Sequence, residues 1–385
     1  MSDNKIIPRT NDKLLGHDEA EAALLQGLES GKLAHGWIIS GPRGIGKATL
    51  AYRFARTLLS SPSPLRGSTR MSVEGGVGVS RLLGANGEIT PLLTSPPQGG
   101  RDEAIFRRIA AGSHTDLLVI EQIYDEKKEG KTREISVEQV RAIAQFLSLT
   151  PGEGQWRVVI IDSADALNSN SANAILKILE EPPPQTVLML IAHNPNRLLP
   201  TIRSRCRSLK LRPLSKNQFT SVMRHIAPTL EGSEIRALAQ LSAMAPGVAL
   251  ELHEQEAAEK YEALLAIVSR LPTLDASAVH AFAEKTAGGK THTNWHVFTQ
   301  LVLFLFSRVA LLAEGIEVEA ISDNEAAALK NLAALHPASV WAAKWQQVAD
   351  EFMVTERLHL DYKQVIIAFF HSINAAEGFR IGSAA

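Results

Sequence analysis

The chain has 385 residues, enough for two or three domains at roughly 150 residues each. Hydrophobic residues make up 45% and charged residues 21%, so most of the chain can bury a core. With 40 Lys+Arg against 41 Asp+Glu the formal net charge is −1, which excludes a global basic field for nucleic acid and leaves DNA contact to a local patch or a partner. The single cysteine, Cys206, excludes an internal disulfide and a Cys-rich zinc site.

The first ten residues, MSDNKIIPRT, lack the apolar core of a signal peptide. Gly36–Ser40 (GWIIS) reads as a short strand that runs into GPRGIGK, and a helical pattern follows over 48–59. Residues 61–100 hold 19 Gly, Pro or Ser in 40 positions and no aromatic residue. Such a segment cannot bury enough apolar surface to offset its chain entropy, so we read it as a disordered insertion, the alternative being a loop that orders on a partner. DLLVIE (116–121) reads as a strand, followed by a charged stretch over 125–134 and a helix over 137–149 with Val140, Ile143, Phe146 and Leu147 on one face.

Arg157–Asp162 (RVVIID) and Thr186–Ala192 (TVLMLIA) are continuous apolar runs of the kind that parallel strands buried on both faces show. Between them a helix over 170–181 is stopped by Pro182, Pro183 and Pro184. Strands alternating with helices predict a parallel α/β sheet covered on both sides. After Pro213 the strand pattern ends. Short helices are expected over 215–225, 233–243 and 248–259, then longer ones from Tyr261 onward, over 297–312, 324–335 and 358–376. The longest uncharged apolar stretch, 295–307, stops at Arg308 and by this reading is too short to span a bilayer. The expectation is a soluble, cytoplasmic protein in three parts: a P-loop α/β domain (1–212), a small helical domain (213–260) and a larger helical domain (261–385).

Gly41-Pro42-Arg43-Gly44-Ile45-Gly46-Lys47 matches G-x-x-x-x-G-K between a strand and a helix, where backbone N–H groups and the positive helix end wrap a phosphate and Lys47 reaches it as a point charge. The alternative is a glycine-rich turn that binds nothing. The motif next requires Ser or Thr, whose hydroxyl ligates Mg²⁺, and this chain has Ala48. Thr49 lies one step, about 100°, further round the helix and points elsewhere. Asp162 stands where P-loop ATPases hold Mg²⁺ with an acid, or merely ends its strand; Ser163 replaces the water-activating Glu, and Asp165 follows two positions later. Phosphate binding is expected and efficient hydrolysis is not.

Residues 201–212, TIRSRCRSLKLR, bring Arg203, Arg205, Arg207, Lys210 and Arg212 together. For most of them the bland reading, a solvated charged edge, is the better one. Cys206 is read as a small buried apolar residue and His193 as a polar strand-end residue, since neither has partners for nucleophilic or metal chemistry.

Taken in order, LLGHDEAEAAL, GPRGIGKATL, VVIIDSADALN, SANAILKILEEPPP, NPNRLLPTIRSRC and APGVAL resemble bacterial clamp-loader subunits, the AAA+ proteins of the DNA polymerase III holoenzyme, and among them the delta-prime type. The resemblance implies an AAA+-like domain, a helical lid and a helical collar that assembles with other subunits. It implies that Leu15-Gly16-His17 frames the adenine side of a nucleotide pocket and that Arg205 is an arginine finger acting on a neighbour's ATP. It places Gly247 where the family carries a second sensor arginine. Gly41, Gly44, Gly46, Lys47, Ala48, Thr49 and Asp162 are then the cofactor-binding set, with ATP or ADP in a degenerate P-loop. Many relatives carry a four-cysteine zinc site after the P-loop helix; this chain has no cysteine there, so no zinc is expected. The implied partners are tau/gamma and delta subunits, the sliding clamp and, through the complex, primed DNA, with no membrane. The competing readings are an ATP-hydrolysing tau/gamma-like motor and a non-replicative P-loop module such as a small nucleotide kinase. Ala48, Ser163 and Gly247 count against the first, the LEEPP and SRC phrases against the second.

Overall fold

The computed structural model describes residues 7–60 apart from 12, and residues 101–122, 134–153, 156–288 and 293–373. The expected insertion at 61–100 therefore lies outside the described residues. The chain divides into two compact units, Met1–Val222 and Met223–Ala385.

The first unit is built on five strands, β1 Gly36–Ser40, β2 Leu117–Glu121, β3 Arg157–Asp162, β4 Thr186–Ala192 and β5 Arg207–Lys210. They run β2-β3-β4-β1-β5, every neighbouring pair parallel. β1 and β4 are buried along their whole length, which is why their sequences read as unbroken apolar runs. Ile38, Val159, Ile161, Leu188 and Leu190 point to one face, where Val140 and Ile143 of α4 (Val137–Ser148) and Ala172 and Ile175 of α5 (Ser169–Glu180) cover them. The alternate residues face α2 (Lys47–Ser60), which carries the buried Leu50, Phe54 and Leu58. The helix starts are well specified. Ser136 and Gln139 form a reciprocal capping box on α4, and Asn168 accepts from Ser171 N at 2.9 Å to cap α5. Sequence periodicity did not foresee α1 (Asp18–Glu29) or α3 (Arg101–Ala110), both short; buried Arg53 of α2 holds Glu21 of α1 at 2.9 Å.

The second unit is helical. α7 (Lys216–Ile226) straddles the division, followed by α8 Gly232–Leu241, α9 Pro246–Glu254, α10 Ala257–Val268, α11 Ala276–Ala287, α12 Thr293–Ala313, α13 Asp323–Leu335, α14 Ala338–Leu358 and α15 Tyr362–Ser372. Three expectations need correction. The single helix over 248–259 is two, because Glu256 takes a left-handed φ of 54°; a straight helix would carry Glu256 onto the buried stripe of Ala249 and Leu252. The helix expected over 358–376 starts only after a reversal at His359, with Asp361 capping α15 through Lys363 N at 2.8 Å. The apolar stretch does not stop at Arg308. Asn294–Ala313 has a mean hydropathy of 1.7 and is long and apolar enough to cross a membrane by length and composition, but here Trp295, Phe298, Val302, Phe306 and Val309 are buried among the helices of the unit. Trp295 stacks on Tyr362 at 4.6 Å between ring centres, and Phe306 meets Trp341 edge-on at 5.2 Å.

Arg308 can sit inside this core because Glu325, itself 0% exposed, meets it. Glu325 accepts from Arg308 Nε at 2.8 Å and Nη2 at 3.0 Å, from Tyr261 Oη at 2.5 Å and from Ile321 N at 2.6 Å. Removing one partner of such a pair strands the other charge in an apolar interior. Glu325→Ala is therefore expected to destabilise the second unit by about 3–5 kcal/mol, measured by urea unfolding; a loss below about 1 kcal/mol would show that the pair behaves like a surface ion pair.

Candidate phosphate-binding site

Because the strands are parallel, the segments that leave their carboxyl ends gather along one edge, the usual place for a ligand in an open α/β sheet. Ser40 at the end of β1 lies beside Ala192 of β4, and Glu121 at the end of β2 lies beside Asp162 of β3. The loop 41–47 departs from this edge. Gly41 needs to be glycine: its φ is 147°, and a Cβ there would sit 2.6 Å from the carbonyl oxygen of Leu211. Gly44 (φ 75°) and Gly46 (φ 104°) also occupy the positive-φ region, the conformation in which a glycine-rich loop turns its N–H groups toward an anion at the start of a helix.

Lys47 begins α2 and is 4% exposed, its ammonium donating to Gly41 O at 2.8 Å and Pro42 O at 2.6 Å. Burial pulls its pKa down to about 8, against the opposing pull of Asp162 and Asp165. Burial, with the Glu121 carboxylate next, holds Asp162 up at about 6 while Lys47 opposes the rise. Between those values both groups are charged. Ala48 is half-buried and offers no oxygen, and Thr49 is buried in α2. The predicted cofactor residues Gly41, Gly44, Gly46, Lys47 and Asp162 thus share one edge; Ala48 and Thr49 stand with them but supply no ligand at the motif position. The residues fit a phosphate anion better than the metal that usually accompanies it.

Of the supporting residues, Glu121, Tyr52 and Asn194 were not singled out by sequence reasoning. Glu121 accepts from the hydroxyl of Tyr52 on α2, whose pKa is raised by burial and then by that carboxylate. Asp165 accepts from the backbone N of His193 and, at 3.2 Å, of Asn194, and Ser163 Oγ donates to it at 3.3 Å. His193 has its pKa lowered, chiefly by burial and then by Lys47. His17 Nε2 donates to Ile45 O at 2.7 Å, and burial lowers its pKa. Gly16 (φ 80°) lets that turn press on Leu214 and Gln218. Gly16, His17, Ser163, Asp165 and His193 were visible in the sequence, but the contacts of His17 and Asp165 with distant backbone span 28 or more residues and leave no local pattern. Among the described residues no group of three or more His, Cys, Asp or Glu is arranged to hold a metal ion.

Arg205 stands apart from this edge, in the turn between α6 (Pro200–Arg203) and β5. It is on the surface, with Nη2 2.8 Å from Glu180 Oε1 and Nη1 donating to Thr201 O at 3.1 Å. Cys206 is half-buried, its thiol pushed up to about 12 by burial, and it packs against Gly36 at the start of β1. β5 is one of the two edge strands, and Arg207 and Lys210 on it are exposed.

Residues 100–215 match the protein-family model described as "DNA polymerase III, delta subunit". The DNA polymerase III subunit delta' of Pseudomonas aeruginosa is 37% identical over 173 residues, 45% of this chain and 42% of that protein. That of Bacillus subtilis is 29% identical over 191 residues, 50% of this chain and 46% of its own length. Over these stretches the chain is similar to subunits of the DNA polymerase III clamp loader. A tau subunit of Escherichia coli is 29% identical over 324 residues, 82% of this chain but 42% of tau. The chain spans less than half the length of each of these relatives. The family match takes in Asp162, His193 and Arg205 of this chain and leaves out the loop 41–47.

The charge on Lys47 makes anion binding depend on pH. Its pKa near 8 means that the charge present at pH 7 is lost as the pH rises to 9. The affinity of the isolated chain for a fluorescent ATP analogue, read by anisotropy, is expected to fall by up to about tenfold over that interval. A constant affinity would remove Lys47 from the anion's partners.

Proposed function

We propose that this chain is a delta-prime-type clamp-loader subunit that takes ATP or ADP at residues 41–47, hydrolyses it poorly or not at all, and supplies Arg205 to the ATP site of a neighbouring tau/gamma subunit. The observation that carries the reading is a positive-φ glycine loop beside the buried Lys47, with Ala48 where the motif's metal ligand would stand. Gly41, Gly44, Gly46 and Lys47 would hold the phosphates, with Lys47 exchanging the carbonyls of Gly41 and Pro42 for phosphate oxygens. A bound Mg²⁺ would neutralise charge on the transferred phosphoryl group, but of the usual ligand pair only Asp162 is present. The other acids of the edge already serve their own chain, Glu121 through Tyr52 and Asp165 through His193 and Asn194. Ser163 gives no carboxylate to orient a water.

In this reading residues 213–260 form the lid and 261–385 the collar, with α10 crossing the boundary between them. The collar joins the chain to tau/gamma and delta, and the assembled complex opens the sliding clamp and places it on primed DNA. The rival reading, a motor of tau/gamma type, draws on the acids clustered around Asp162, and their existing hydrogen bonds speak against it.

A finger in trans is worth roughly 10³–10⁵ in rate at the site it serves. The purified chain is expected to show no turnover alone. Mixed with tau/gamma, delta, clamp and primed DNA it is expected to support strong ATPase activity, reduced at least about threefold by Arg205→Ala. Steady-state phosphate release measures both. Robust turnover by the isolated chain would replace this reading with the motor.

A further inference from the structure

The turn that carries Arg205 is flanked by Arg203 at the end of α6 and Arg207 at the start of β5, and the structure treats the three arginines differently. Arg203 Nη1 donates to the side-chain oxygen of Asn196 at 3.2 Å, and Arg207 lies over the ring of Trp37 at 5.5 Å. Arg205 reaches a carboxylate, Glu180 Oε1, at 2.8 Å. Its other terminal nitrogen donates to Thr201 O, and Ser204 Oγ lies at 3.5 Å. A guanidinium has five N–H donors, and with two engaged on Nη1 and one on Nη2 two are left for an incoming anion.

Both ends of this clamp are anchored. Glu180 is the last residue of α5, and the prolines from Pro182 onward prevent the helix from continuing and shifting it. Just before it, Leu179 is buried and its carbonyl accepts from His35 Nε2 at 3.0 Å. On the other side Ile202 is fully buried and Cys206 packs on Gly36. An arginine on an open surface keeps most of its rotamer freedom and must lose it to engage a partner. Arg205 has lost much of that freedom already, with 36% of its side chain exposed. An ion pair this exposed is weak, so it orients the guanidinium without sequestering it.

We propose that Glu180 is a positioning residue: it holds Arg205 in the orientation from which the guanidinium meets a phosphate on a neighbouring subunit. This rests on the reading of Arg205 as a finger in trans. The link joins two phrases, LEEPP and SRC, that are 25 residues apart in sequence and touch only in the folded chain.

The test is the DNA-stimulated ATPase of the complete complex built with variants of this chain. Glu180→Ala is expected to lower kcat about three- to tenfold with KM for ATP changed less than about twofold. Glu180→Gln, which keeps an accepting oxygen, should recover part of the loss. Added to Arg205→Ala, Glu180→Ala should cause no further loss, because its effect passes through that side chain. Thermal unfolding of the variant chain should stay within about 2 °C of the parent. An unchanged or raised kcat for Glu180→Ala, with Arg205→Ala still defective, overturns the positioning role and leaves the finger standing. A wild-type kcat for Arg205→Ala overturns both.

Discussion

The carboxyl ends of β1, β4, β3 and β2 lie side by side along one edge of an all-parallel sheet, and the rest of the first unit depends on how closely its chain segments approach there. Gly41 illustrates the constraint. The backbone leaving β1 passes so near the carbonyl of Leu211 that no side chain fits between them. That approach lets the loop turn tightly enough to present Lys47 at the start of α2. The same edge brings Asp162 and Glu121 into register, two acids whose proximity, with burial, pushes the first of them upward.

Burial drives Lys47 and Asp162 in opposite directions, each toward its neutral form, and their mutual attraction works against both shifts. The outcome is a narrow band of pH in which a buried ammonium and a half-buried carboxylate are both charged. Such an arrangement suits an anion, which would relieve the strain on the ammonium, more than it suits a divalent cation with one carboxylate and no hydroxyl to bind it. The chemistry of the edge and the identity of residue 48 therefore point the same way.

The second unit manages its buried charge by a different route. Its core is aromatic, and Glu325 satisfies Arg308, Tyr261 and the backbone of Ile321 at once, so a charged residue inside an otherwise apolar helix costs little. This explains why the apolar stretch around Arg308 misled a reading based on composition. Arg308 looked like an end to the stretch, whereas the structure pairs it and lets α12 run on to Ala313. The helices α11 and α14 escaped sequence reasoning for a related reason. Their faces mix alanine, lysine and aromatic residues, so the period of 3.6 is diluted, and packing against neighbours decides them instead.

What the sequence determined by itself was local. The unbroken apolar runs of β1, β3 and β4, the glycines and lysine of the phosphate loop, the alanine at position 48 and the proline stop after α5 all lie within a few residues of the feature they specify. Backbone sterics and burial act over that range, so these features could be read without a fold. Tertiary structure alone decided which side chains meet across long separations: Tyr52 with Glu121, Asp165 with the backbone after β4, Glu180 with Arg205 and Glu325 with Arg308. Those contacts depend on strand order and helix packing, which bring together residues that share no sequence period. Hydrogen bonds and ion pairs act over a few ångströms of space whatever the distance along the chain.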